Sequence, residues 1–372
     1  MCKQVQGLNE ILASEIAHAG VLPFARFMEL ALYCPLYGYY EAQKQTIGRR
    51  GDYFTSVSVG SLFGELLAFQ FARWLETGAG PQPQIQRIIE AGAHDGQLAL
   101  DILAWLRAHR PKLFDRLEYV ILEPSARRQE WQRETLAEFG PRVRWLFQFP
   151  TSNPEALPSI SPGVIFANEM LDAFPVRRFG WDARQKKWFE WGVTLATGKF
   201  VWAKIPDPDV VPQTPTPDLL EMLPEGFTTE LCPAAEQWWQ SAAHTLKHGQ
   251  LLTFDYGLTA MDFFTPERRD GTLRAYHRHQ LRSDLLAHPG EQDLTEHVNF
   301  TAIQAAGEAA GLKTETSATQ AKFLTQITEQ IWQNPSAFGE WTPGRTRQFQ
   351  TLTHPQHLGR PFRVLVQNRS SL

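Results

Sequence analysis

The stretch that most constrains the fold is residues 87–98, RIIEAGAHDGQL, where a short apolar run breaks into a glycine-containing turn and then opens a helix. Residues 87–89 have the β-branched, apolar character of a buried parallel strand. QLALDILAWLRAH after Gly96 repeats apolar residues at helical spacing. Gly92 and Gly96 give two places where the backbone can turn sharply or approach a ligand with no Cβ in the way, and Glu90 stands where the strand ends. The spacing is not GxGxxG, and no phosphate-gripping lysine follows, so a pyrophosphate or a triphosphate is a poor fit.

An ExGxxxG turn suits a nucleoside with no phosphate to hold, and its carboxylate favours a cationic or amino-bearing ligand. S-adenosylmethionine (SAM) carries both a sulfonium and an amine. Residues 116–123, RLEYVILE, read as a second strand with a terminal acid, followed by a helix expected to end at Gly140. A carboxylate at the end of the second strand can accept hydrogen bonds from both ribose hydroxyls of a nucleoside lying across the sheet edge, which makes Glu123 the ribose residue.

Further along, residues 142–147 and 163–176 read as third and fourth strands. Their alternation with helices argues an α/β fold, a doubly wound and mostly parallel sheet with right-handed crossovers. Residues 177–205 break the rhythm as an antiparallel insertion with turns near 182–187 and 196–199. A fifth strand follows at 250–257, a helix at about 301–310 stopped by Gly311, and two short closing strands near 312–315 and 362–367. The first third is helical, with a long helix from about 61 to 76 that Ser56 or Ser58 could cap. The division expected is residues 1–80 as a helical N-terminal extension, to which the family resemblance given below adds the role of a cofactor lid, and 81–372 as a SAM-binding domain with its insertion at about 177–230.

Asn168 and Glu169 close the fourth strand, and ligands of open α/β sheets bind outside the carboxyl ends of the strands. Asp172 lies three residues on, so a helical turn there would bring both carboxylates to one side, able to hold a cationic acceptor such as a guanidinium in line with a methyl group. The plain structural reading is that Asn168 caps a helix and Glu169 stabilises its positive end. His297, in DLTEHVNF, is a candidate general base, although Asp293 with Thr295 or Glu296 is equally a capping arrangement for the helix that follows. His277 and His279 have HxH spacing with nothing nearby to complete a metal site, so no metal is expected.

The chain of 372 residues is 43% hydrophobic, enough for a sizeable core, and its 36 Lys plus Arg and 40 Asp plus Glu give −4 with no long basic run. Broad electrostatic binding of nucleic acid is disfavoured, because that mode needs clustered cations. No apolar run approaches the ~20 residues needed to span a bilayer. Cys2, Cys34 and Cys232 form no disulfide framework, and the first twenty residues lack both a secretory and a transit pattern, so a cytoplasmic location is expected.

Taken together, GDYFTS with FGELLA, IIEAGAHDGQLALDIL, ILEPSARRQEWQ, ANEMLDAFPVRRF, TFDYG, GTLRAYHRH and DLTEHVNF occur in an order that resembles the MidA-like SAM-dependent methyltransferases, relatives of the complex I assembly methyltransferase. The resemblance covers about residues 23–312. It implies a class I methyltransferase Rossmann-like sheet with a helical N-terminal extension and an antiparallel insertion after the fourth strand. Also implied are SAM as cofactor and methyl transfer to a protein, arginine above all, with a complex I subunit as the partner to expect.

Glu90, Gly92 and Gly96 match the family's cofactor turn, Glu123 its ribose acid, and Asn168 with Glu169 the end of its fourth strand. Gly51, Asp52, Thr55 and Ser56 match a motif expected to lie over the cofactor. One position departs from the pattern: His94 stands where the family turn has its middle glycine. If that backbone needs positive φ, histidine there costs about 1–3 kcal/mol. Two alternatives remain open at this point. One is a non-catalytic assembly protein that retains the fold; the other is a small-molecule methyltransferase whose acceptor pocket is the Trp-rich insertion. The oligomeric state is open as well, a homodimer being one alternative.

Overall fold

The computed structural model describes residues 7–42, 55–77, 85–149, 163–214, 216–277 and 280–370. Among the described residues the central sheet has eight strands, seven along its main path, β1 Gln86–Ala91, β2 Leu117–Leu122, β3 Val143–Leu146, β4 Gly163–Asn168, β5 Gly249–Leu258, β6 Lys313–Thr319 and β7 Phe362–Arg369, and a short one, Val298–Asn299, that pairs in parallel with the end of β5. Their order is β6-β7-β5-β4-β1-β2-β3. The run from β5 to β3 is parallel, whereas β7 runs antiparallel between β5 and β6. The chain moves outward from β1 to β3 and then returns to place β4 on the other side of β1. That reversal opens a crevice at the carboxyl ends of β1 and β4.

Both faces of this sheet are covered, which is why its strands read as near-continuous apolar runs. Successive residues divide between two cores: Ile88, Tyr119 and Ile121 enter one, Ile89, Val120 and Leu122 the other, all at most 5% exposed. Among the described residues the helices of ten residues or more are α1 Leu8–Ala19, α2 Phe24–Tyr33, α3 Leu62–Thr77, α4 Gln97–His109, α5 Ala126–Thr135, α6 Pro233–Thr245, α7 Phe300–Ala309, α8 Gln320–Gln333 and α9 Pro343–Thr353. The first core receives α3, α4, α8 and α9, and the second receives α6 and α7. Burying a Leu, Ile or Phe side chain in either is worth roughly 1.5–3 kcal/mol.

Three local expectations are corrected. The amino end of α3 is not capped by Ser56 or Ser58, because the 3-10 turn Val57–Val59 and Gly60 intervene. Instead the Leu62 N–H donates to Gln348 Oε1 of α9 at 2.9 Å, while the Ser56 hydroxyl turns to Gln320. α5 stops at Thr135 rather than Gly140, and a 3-10 segment, Ala137–Arg142, completes the connection. α7 is capped by Asn299, whose Oδ1 accepts from the Ala302 N–H at 3.1 Å, and not by Asp293 or Glu296.

The insertion forms an antiparallel sheet of Arg177–Asp182, Lys187–Ala196, Lys199–Ile205 and Thr228–Leu231, which Leu22–Pro23 joins by pairing with Lys187–Ala196. Phe24 and Phe27 of α2 pack on Trp202 and Phe200 of that sheet. The N-terminal helices and the insertion therefore share one apolar core. A third, smaller sheet of Arg274–His277, Gln280–Arg282 and Asp293–Thr295 brings residues beyond β5 back across the crevice.

Candidate active site

A cavity of about 420 Å³ lies at the carboxyl ends of β1, β4 and β5. Six carboxylates face it, Glu90, Asp95, Glu169, Asp172, Asp293 and Glu296, against two guanidinium groups, Arg128 and Arg274. Such a lining selects a cation, and any cation that enters replaces the water lost by the acids.

Glu90 is 2% exposed at the end of β1 and accepts a hydrogen bond from Tyr119 Oη at 2.7 Å. Burial, with Asp95 and Asp101 nearby, pushes its carboxyl up to about 8 against the pull of that bond. In the turn beyond it, Gly92 has φ +71°, and a Cβ there would stand 2.9 Å from Met170 Cγ. Gly96, at φ +88°, starts α4. His94 adopts φ +46°, so the residue that departs from the family turn does sit in the left-handed region. Its carbonyl is held by Gln132 Nε2 at 3.0 Å. His94→Gly is expected to stabilise the fold by about 0.5–1 kcal/mol in urea denaturation, since left-handed strain outweighs the extra freedom of glycine in the unfolded chain.

Glu169 continues β4, its N–H donating to Phe254 O at 2.8 Å, and then turns with φ +50°. Its Oε1 accepts from Ser56 N at 3.2 Å and Asn168 Nδ2 at 3.1 Å. Burial and the neighbouring Asp172 push the Glu169 carboxyl up to about 8. The 3-10 turn Leu171–Ala173 follows, and it brings Asp172 to the same cavity. Burial beside Asp255 and Asp293 raises Asp172 well above the usual carboxylate range. His297 faces the same space, pushed down to about 4 by burial and by Arg274 and Arg268, so its imidazole is neutral at pH 7.

Of the other expected site residues, Thr55 and Asn168 line the cavity. Asn168 Oδ1 is buried with no hydrogen-bond partner among the described residues, an acceptor waiting for an N–H donor. Ser56 is fully buried and touches the site through its backbone N–H on Glu169, its hydroxyl pointing away. Glu123 stands at the end of β2 but in the wall rather than on the lining. Ser125 N and Gln132 Nε2 donate to its two oxygens at 3.0 and 3.1 Å, and Gln132 ties it to the His94 carbonyl. Gly51 and Asp52 lie outside the described residues.

Sequence reasoning missed several lining residues. Tyr33 and Tyr40 stack at 5.5 Å, their hydroxyls donating to Ala173 O and Asp293 Oδ1, and Arg128 lies over the Tyr40 ring. Arg274, Tyr276 and Glu296 come from the small third sheet and its flank. The aromatic-rich run 33–40 was the available signal for the tyrosines. Trp181 and Trp188 instead pack on each other at 5.0 Å, and no tryptophan of the insertion lines the cavity, so that sheet's rings build structure. Among the described residues no group of three His, Cys, Asp or Glu is placed to hold a metal, and no helix is long and apolar enough to cross a membrane.

Residues 66–318 match the family model described as "Putative S-adenosyl-L-methionine-dependent methyltransferase". The chain belongs to this family. The crystal structure of "a COG1565 superfamily member and likely methyl transferase" from Burkholderia thailandensis, bound to S-adenosyl-homocysteine, is similar over 97% of this chain and 92% of that one, with TM-score 0.80 and 33% identity. The mouse mitochondrial protein arginine methyltransferase NDUFAF7 is 27% identical over 340 residues, covering 83% of this chain and 72% of its own. Its human counterpart is 28% identical over 334 residues, 81% and 69%. The chain is a SAM-dependent methyltransferase of the class I fold, and SAM is its cofactor. The cavity suits that cofactor: its acids match a sulfonium and an amine, and the unpartnered Asn168 Oδ1 can accept from an N–H.

Proposed function

We propose that this methyltransferase modifies a protein, with the guanidinium of an arginine as acceptor. The observation that carries the reading is the convergence of Glu169 and Asp172 with Asp293, Glu296 and a neutral His297 on one cavity. A guanidinium presents five N–H donors in a planar fork and needs acceptors arranged around it. The names of the mouse and human relatives point the same way. A subunit of respiratory complex I is the acceptor this reading takes first, following the resemblance.

Bound SAM supplies an electrophilic methyl group. Around it, Glu90, Gly92, Thr55 and Asn168 would hold the cofactor, while Glu123, held in the wall by Ser125 and Gln132, would have to turn outward to meet the ribose. Glu169 and Asp172, whose ionised forms a cationic acceptor favours as it enters beside them, accept N–H bonds from the acceptor and turn one nitrogen into the cavity. The proton that this nitrogen gives up passes to Glu169 or to His297, both of which face it.

The test is incubation with methyl-tritiated SAM and cell lysate, then acid hydrolysis of the labelled protein. Label is expected in methylated arginine and in a complex I subunit on fractionation. Label in another amino acid, or only in small molecules, would sink the arginine reading.

A pH dependence follows from Glu90. Its carboxyl is protonated below about 8 in the free protein, and a cation binds the ionised form, so SAM affinity is expected to rise with pH and level off above 8. One such group changes affinity by up to roughly tenfold per pH unit. Calorimetric titration of SAM between pH 6 and 8.5 should show at least a tenfold gain that Glu90→Gln flattens.

A further inference from the structure

Glu169 and Asp172 can present an acceptor only if the turn that carries them is held in place. Asp255, near the end of β5, is a carboxylate with no exposed surface. Its Oδ2 accepts from three consecutive backbone N–H groups, Met170 at 3.2 Å, Leu171 at 2.9 Å and Asp172 at 3.3 Å. Its Oδ1 accepts from the N–H of Tyr256 at 2.9 Å. The three N–H groups are the free donors at the start of the turn Leu171–Ala173, which has no cap of its own.

The contacts around them complete a clamp. Glu169, directly before those three residues, has φ +50°, a conformation that an L-residue keeps only where its surroundings impose it. Its N–H is held by the carbonyl of Phe254, the residue before Asp255. On the far side the Glu296 N–H donates to the carbonyl of Asp172 at 2.9 Å. The end of β5 therefore grips the turn that carries both acids, by main chain at Phe254 and by side chain at Asp255.

We propose that Asp255 is a positioning residue of the transfer step: by collecting the three N–H groups it fixes Glu169 and Asp172 in the geometry that presents an acceptor, without itself meeting cofactor or acceptor. This rests on the reading that those two acids face the acceptor. A change at Asp255 should then affect the rate of transfer far more than cofactor affinity.

The experiment compares wild type, Asp255→Ala and Asp255→Asn. The rate is total tritium passed from SAM to lysate protein, and affinity comes from calorimetric titration of S-adenosyl-homocysteine. Asp255→Ala should lose at least tenfold in rate while its affinity stays within threefold, and Asp255→Asn, which keeps an acceptor oxygen, should recover most of the rate. Unchanged rate in the alanine variant, affinity falling in step with rate, or an asparagine variant no better than alanine would each overturn the proposal. Hydrogen exchange on the wild-type protein is independent of variant folding: the amides of 170–172 should be protected, and exchange at open-loop rates would equally overturn it. Because total label is counted whichever amino acid carries it, a failed arginine assignment shows in the hydrolysate and leaves the comparison intact.

Discussion

Glu169→Ala is expected to lower methyl incorporation into protein at least a hundredfold, about 2.7 kcal/mol of transition-state stabilisation, with SAM affinity changed far less. The reason is local. Ser56 N and Asn168 Nδ2 both donate to Oε1, which leaves Oε2 for a ligand in the cavity. Alanine removes that oxygen and the charge that orients a cation, and it also strips the Ser56 N–H of its partner. Glu169→Gln keeps the shape and loses the charge, so its rate should fall between the two. Retention of more than a tenth of the rate in the alanine variant would remove Glu169 from the acceptor site.

The same residue makes a second statement, about stability. Its folded carboxyl sits near 8 against an ordinary 4.5, so the stability it contributes is complete below 4.5 and is lost as pH rises through 8. Glu169→Gln should therefore match the ligand-free wild type in acid and exceed it in urea denaturation above pH 8. A less active but more stable variant is what a residue retained for chemistry would give.

Much of this was legible in the sequence, and the boundary between what was and was not has a physical cause. Buried parallel strands announce themselves as apolar runs, and the ligand side of such a sheet is its carboxyl edge. Glu90, Glu169 and Asp172 could thus be placed on the cavity from strand ends alone, and His297 joined them from its motif. A strand end fixes where a backbone stops, but not how the next side chain turns. Glu123 was located correctly, yet Ser125 and Gln132 draw its carboxylate into the wall. Tyr33, Arg274 and Glu296 arrive from α2 and from beyond β5 through tertiary packing, which no periodicity encodes. α8 is a different case: Phe323, Leu324, Ile327 and Ile331 repeat at helical spacing and are all at most 5% exposed, so its pattern was present in the sequence without a motif to draw attention to it.

Gly249→Ala should be among the most damaging single-methyl changes in the molecule, costing about 3 kcal/mol or more. Gly249 opens β5 opposite Gly163 at the start of β4, in the middle of a sheet covered on both faces. Its φ is +130°, which L-residues rarely adopt, and a Cβ built there falls 1.9 Å from the Gly163 carbonyl oxygen. The obstacle is backbone, so relief requires β4 and β5 to separate, and neither has room to do so against its core. Gly198→Ala is the matched control: it too has positive φ, at +77°, but nothing lies within 4 Å of its Cβ, so it bears the conformational cost of about 1 kcal/mol alone. Urea denaturation of the two variants separates packing from conformation, with an unchanged m-value marking a pure stability effect. If Gly249→Ala lost no more than Gly198→Ala, the close approach of β4 and β5 would not be the constraint it is taken to be here. Should the variant survive with a displaced β4, Asn168 and Glu169 at the far end of that strand would move with it, and methyl transfer would fall even in the fraction that stays folded.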